Sequence, residues 1–128
     1  MKKVIKGGKV ATATDVFEAD LLIEDGVITQ IAKKIDVADA EVIDASGKYV
    51  MPGGIDPHTH LDMPFNNTVT DDDWESGTIA AAFGGTTTIL DFCLSAGETK
   101  LADAVEKWHA KAQGKAVIDY GFHLMITD

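Results

Sequence analysis

The feature that most restricts this chain is a change of pattern at Met51-Pro52-Gly53-Gly54. After it, short apolar runs alternate with helical stretches. "GIDPHTH" reads as a buried strand, and "TTTILDFCL", β-branched and apolar, as a strand covered on both faces. "KAVIDYGFHLMITD" reads as a third strand. Between them, "TDDDWESGTIAAAFGG" carries helix signals: Thr70 and the aspartates offer N-caps, Thr70 to Asp73 has capping-box spacing, and Gly84-Gly85 ends the run. In "TKLADAVEKWHAKAQG", Leu101, Ala104, Val105, Trp108 and Ala112 form one apolar face, with Gly114 as C-cap candidate. The order β-α-β-α-β requires parallel pairing through right-handed crossovers. That is the start of a doubly wound sheet or of a TIM barrel. A whole barrel takes about 250 residues, so residues 53–128 hold roughly three of its eight strands. The last strand has no helix after it. We therefore expect an N-terminal piece of a larger protein, whose isolated sheet exposes apolar surface and aggregates.

Residues 1–52 read as β throughout. "KVIKGGKVATA" suggests two short strands around a turn at Gly7-Gly8, and "ADLLIEDGVITQIA" a hairpin at Asp25-Gly26, since a type I′ turn needs positive φ at both central positions. "AEVIDASGKYVMPG" suggests a further strand pair around Ser46-Gly47. Several short strands with regular turns point to a sandwich or barrel-like sheet. The charged residues here, such as Glu24, Asp25 and Lys33, read as a solvated face.

Charge excludes one class of partner. With 21 acidic and 11 basic residues the formal net charge is −10, whereas nucleic-acid binding needs clustered Lys and Arg. No apolar run approaches a membrane span, and the N-terminal lysines are not followed by a signal-peptide core. The single cysteine, Cys93, rules out an internal disulfide and suits a reducing cytosol, so a cytoplasmic location is expected. Cys93 reads as a small buried apolar residue and not as a nucleophile, because no base is placed for it.

The chemistry lies in "GGIDPHTHLDMP". On a strand, residues i and i+2 share a face, so His58 and His60 project together, with Asp56 on the same side. If this is a barrel's first strand, that face is the lumen, and the pair sits near the C-terminal end where barrel active sites form. Two such imidazoles can share one cation. The plainer reading, polar residues at a strand end, stays open, since His-x-His alone is a weak motif and Pro57 tilts the segment toward an edge or strand start. His109 reads as a surface or boundary residue. His123 lies within the third strand and reads as neither clearly lumenal nor at a strand end. A catalytic zinc normally takes three protein ligands; this chain offers two.

Together, the β-rich start, "PGGIDPHTHLDMPF", "ESGTIAAAFGGTTTILDFCL" and "GKAVIDYGFHLMIT" give a chain that resembles the cyclic amidohydrolases of the amidohydrolase superfamily, closest to the branch that opens hydantoin and dihydropyrimidine rings. The resemblance implies an α/β fold: the first strands of a TIM (β/α)8 barrel in residues 53–128, preceded in residues 1–52 by part of a small β-sandwich. It implies two divalent metals, usually zinc, bridged by a carboxylated lysine that lies outside this chain, with His58 and His60 on one of them and Asp56 behind them. It further implies hydrolysis of a small cyclic amide or imide to an N-carbamoyl amino acid, a substrate pocket that takes in Met63, Phe65 and Leu94, and a homotetramer. Dihydroorotases carry an arginine where this chain has Asp62, an acid that would repel their substrate's carboxylate. Allantoinases tend toward Asn-Glu-Pro where it has Asp62-Met63-Pro64. The non-catalytic collapsin response mediators lose the second histidine, which is present here as His60. A catalytically silent scaffold and an allantoinase- or dihydroorotase-type enzyme are the alternatives.

Overall fold

The computed structural model describes residues 1–95 and 100–126. The chain divides into two compact units, Met1–Pro52 and Gly53–Asp128. Each unit is built on its own sheet.

The first unit is one mixed sheet. Strand β1 (Lys2–Ala11) pairs antiparallel with β2 (Val16–Glu24), and β2 with β3 (Val27–Ala32). The β2–β3 turn is the expected one, with Asp25 and Gly26 both at positive φ (49° and 85°). Gly7-Gly8 makes no hairpin. The strand runs straight through it, and the register against β2 shifts between Ile5 and Gly8, a bulge that Gly7 absorbs at φ 72°. A side chain at Gly7 would also strike Ser46. Strands β4 (Glu41–Asp44) and β5 (Tyr49–Val50) flank Ser46-Gly47 as expected, but they do not pair with each other. Both run parallel to β1, on either side of its bulge. Val4, Leu22 and Ile35 form one small core cluster, and Val10, Ala19 and Leu21 another.

The second unit is an open parallel sheet in the order β10-β9-β6, with β6 at Gly54–Thr59, β9 at Thr86–Leu94 and β10 at Asp119–Met125. It is a mixed α/β arrangement and not a closed barrel. Two helices connect the strands: α1 (Trp74–Phe83) and α2 (Leu101–Ala112). The loop after β6 carries a small hairpin that the sequence pattern did not announce, β7 (Pro64–Phe65) with β8 (Thr68–Val69). Its Asn66 sits at φ 53°, the turn conformation asparagine tolerates.

Trp74, Ile89, Cys93, Trp108 and Ala112 form the buried cluster between the helices and one face of β9. Along β9, Ile89, Asp91 and Cys93 are buried, while the alternate residues are only half-buried. The strand is therefore fully covered on its helix side alone. The expected burial of "GIDPHTH" fails more plainly: β6 is the edge strand, and Ile55 is 66% exposed, because among the described residues no strand pairs with its outer side. On α2 the buried face is Ala104, Trp108 and Ala112. Leu101 and Val105, at its margin, remain exposed.

At the start of α1 one of the expected aspartates caps the helix, but the box is not the expected Thr70–Asp73 one. Asp73 is the N-cap, accepting from the Glu75 and Ser76 amides, and Ser76 closes the box. Thr70 turns elsewhere and accepts the Met63 amide. The serine hydroxyl does here what Glu or Gln does in the commoner box. Among the described residues no helix is long and apolar enough to cross a membrane.

Candidate metal centre

β6 reaches its C-terminal end through an irregular step. Against β9, Asp56 pairs with Ile89 and Thr59 with Asp91, so three steps on β6 match two on β9. Pro57 lies inside this bulge, where its missing N–H costs no ladder bond. The Asp56 carboxylate turns back and accepts the His58 amide at 3.1 Å. Simple alternation, which groups Asp56 with the histidines, does not run through such a step.

The two imidazoles do meet. His58 Nε2 and His60 Nε2 are 3.2 Å apart, with the rings edge to face at 5.0 Å between centroids. The Phe92 ring lies against both, 4.5 Å from His58 and 5.2 Å from His60. His123, set aside on sequence grounds, joins the same face. Its ring packs on Phe92 at 4.8 Å, and its Nε2 lies 2.9 Å from the Pro57 carbonyl oxygen, to which it donates. With Nε2 committed to a carbonyl, His123 braces the bulge before His58 and does not share the ring contact of the pair. His109 is on α2, its Nδ1 3.0 Å from the Tyr120 hydroxyl.

Does this pair suit a divalent ion? Two nitrogens on adjacent corners of a tetrahedron with Zn–N of about 2.0–2.1 Å stand about 3.3–3.4 Å apart. The observed 3.2 Å is close to that. Without an ion one ring donates to the other; with one, both lone pairs face it. His60 Nδ1 is buried with no hydrogen-bond partner among the described residues, and a ligating histidine ordinarily donates through that nitrogen to an acceptor. The donor set fits, as part of a site. No group of three or more His, Cys, Asp or Glu side chains among the described residues closes around a cation.

Sequence reasoning passed over Asp91. This carboxylate is fully buried and accepts four hydrogen bonds. Leu61 N (2.8 Å) and Thr59 Oγ1 (3.0 Å) donate to Oδ2, while Phe92 N (2.8 Å) and Trp108 Nε1 (3.3 Å) donate to Oδ1. The signal was a lone acid inside an apolar strand, since a buried charge must find donors.

The pocket candidates are spread out. Met63 is half-buried on the loop, Phe65 is exposed on β7, and Leu94 at the end of β9 packs against the Trp74–Trp108 cluster. Asp62 is not a free acid: its carboxylate is 3.6 Å from Lys111 Nζ, and its carbonyl accepts from the same ammonium. The Lys111 ammonium offsets the negative charge that Asp62 would otherwise present to a substrate carboxylate. Gly77 of α1 lets Leu61 approach so closely that a Cβ there would lie 2.4 Å from Leu61 Cδ2. Cys93 is buried as expected, and burial, helped by the Asp91 charge, pushes its thiol up to about 11.

The two histidines therefore stand together at the C-terminal end of the first strand of a parallel α/β sheet. Residues 41–120 match the model of the Amidohydrolase family, and the chain belongs to that family. Within it, the chain is 68% identical to D-hydantoinase of Geobacillus stearothermophilus and 51% identical to D-hydantoinase of Streptomyces coelicolor, over 100% and 99% of its own length. It spans only 27% and 28% of those relatives. Among solved structures it superimposes on dihydropyrimidinase from Brevibacillus agri with a TM-score of 0.97 at 58% identity, covering all of this chain and 28% of that one.

Proposed function

We propose that this chain forms one wall of the active site of a metal-dependent cyclic amidohydrolase that opens hydantoin and dihydropyrimidine rings to N-carbamoyl amino acids. The observation that carries the reading is the pair of Nε2 atoms at 3.2 Å, presented from the end of β6. The relatives' names, D-hydantoinase and dihydropyrimidinase, supply the ring chemistry. In this reading Gly53–Asp128 opens a TIM barrel and Met1–Pro52 is part of a small β-sandwich.

His58 and His60 would hold one of two divalent ions, zinc by preference, with the remaining ligands, including a carboxylated lysine, contributed from outside these residues. Such ions lower the pKa of a water and polarise an amide carbonyl. The chain's own part is positional. The histidines offer two lone pairs at a fixed separation, Phe92 backs both rings and keeps water from that side, and His123 holds the Pro57 carbonyl. Asp56 fixes the His58 backbone. Met63, Phe65 and Leu94 line the approach for the ring's substituent. The assembly is a cytoplasmic homotetramer in this reading.

The test uses the full-length protein with His58→Ala and His60→Ala, measuring zinc per subunit and hydantoin ring opening. Each variant should lose bound zinc and lower kcat/KM by at least about a thousandfold, as removal of a Lewis acid requires. Full metal content with full activity in either variant sinks the assignment.

A further inference from the structure

We propose that Asp91 is the positioning residue of the histidine pair: its carboxylate holds the Thr59 hydroxyl before His60 and the Leu61 amide after it, and so sets the separation of the imidazoles before an ion arrives. This rests on the reading that the pair holds a divalent cation. The ladder between β6 and β9 ends at the Thr59–Asp91 pairing, so His60 lies just past the last strand residue. At that point Asp91 Oδ2 takes over, accepting the hydroxyl of the residue before His60 and the amide of the residue after it.

The other oxygen is anchored away from the pair. Oδ1 accepts the Phe92 amide and the Trp108 indole N–H of α2, so the carboxylate has a donor on every side and little freedom to turn. Asp91 and Phe92 are neighbours on a strand and face opposite ways. One therefore grips the backbone around His60 from the helix side while the other packs against both rings from the open side. Lys111, which lies over the Trp108 ring at 4.6 Å and donates to the Asp62 carbonyl, ties the next residue of the loop to the same helix.

A merely structural carboxylate would act through stability alone, and the two oxygens allow the cases to be separated. Thr59→Val removes the hydroxyl bond to Asp91 on the histidine side, with its longer 3.4 Å contact to the Leu90 carbonyl; Trp108→Phe removes the bond on the helix side. In the full-length protein, apparent zinc affinity by chelator competition and thermal midpoint are measured for both variants, for Asp91→Asn and for His58→Ala. Asp91→Asn should weaken zinc by about 10–100-fold, the range for groups that orient a ligand, and Thr59→Val by several-fold at an unchanged midpoint. Trp108→Phe should lower the midpoint and leave affinity within about twofold of the wild type, far below that range. Wild-type affinity in Thr59→Val overturns the proposal, as does affinity loss that follows midpoint across all variants. If Asp91→Asn does not fold, Thr59→Val decides alone. If His58→Ala keeps its zinc, the pair is no ligand and the functional reading falls with the proposal. If His58→Ala loses zinc while Thr59→Val does not, only the positioning role falls.

Discussion

Asp20 on β2 and Asp91 on β9 are the two buried carboxylates among the described residues. Both sit where a strand ladder is interrupted. Asp20 accepts the Gly7 amide (3.0 Å), at the bulge of β1, and the Ile35 amide (2.9 Å), beyond the end of β3. Asp91 accepts four donors where β6 leaves the sheet. The physical task is the same: backbone N–H groups stranded by a break in pairing must be satisfied. The surroundings differ. Asp20 serves a small sheet core, where its neighbours are backbone amides, Lys6 and Asp36, whereas Asp91 holds the residues on either side of a histidine. A buried acid in a strand thus marks a break in the ladder. What that break carries decides whether the acid matters for chemistry.

The strongest challenge to this pairing is to remove each carboxylate in turn. Asp91→Ala strands four donors, two of them side-chain groups, and should cost about 3–4 kcal/mol. Asp20→Ala strands two amides and should cost about 1–2 kcal/mol. Urea denaturation gives the totals, and hydrogen exchange at Leu61 for the first, and at Gly7 and Ile35 for the second, localises them. A larger loss from Asp20 than from Asp91 would mean that the number of stranded donors is not what sets the cost.

Acid offers a gentler comparison. The Gly7 and Ile35 amides, with smaller help from Lys6 and against Asp36, hold the Asp20 carboxyl below its ordinary value of 3.8. A depressed folded value means that the stabilisation is complete above the unfolded pKa and is lost as pH falls through the folded one. Asp20→Asn should therefore be less stable than wild type at pH 7, with a gap that narrows as the pH drops below about 5. Parallel urea titrations of the two proteins check this. A gap that stays constant down to pH 3 would remove the charge from the account.

Much of this architecture was legible because it depends on local chemistry. The Asp25-Gly26 turn, the alternation of strands and helices after Pro52, and the shared face of His58 and His60 follow from φ preferences and from the period of two. What escaped depends on long-range pairing. Gly7-Gly8 has the composition of a turn, and only its neighbours β2, β4 and β5 make it a bulge. The face of His123 follows from its pairing with Phe92 across β10 and β9, a register no single segment encodes. Asp91 looked like an interruption in an apolar run, and its donors come from residues as far off as Thr59 and Trp108. The exposure of β6 is of another kind: the sequence marks the strand, and among the described residues no second strand pairs with it.

The smallest expected effect concerns Cys93, two residues along β9 from Asp91 and on the same buried face. Its thiol is pushed up to about 11, first by burial and then by the Asp91 charge. At pH 8 roughly one thiol in a thousand is ionised at such a value, and the thiolate is the reactive form. Native protein should therefore resist iodoacetamide, with alkylation following opening of the fold. Asp91→Asn removes only the second cause, so at equal stability it should raise the native alkylation rate slightly, within several-fold. The measurement also probes the clamp, since Cys93 is on the buried face of the strand that carries both Asp91 and Phe92. Native alkylation at the rate of a free cysteine would mean that the back of β9 is open, and a strand open there cannot hold the Thr59–Leu61 backbone rigidly enough to set the distance between His58 and His60.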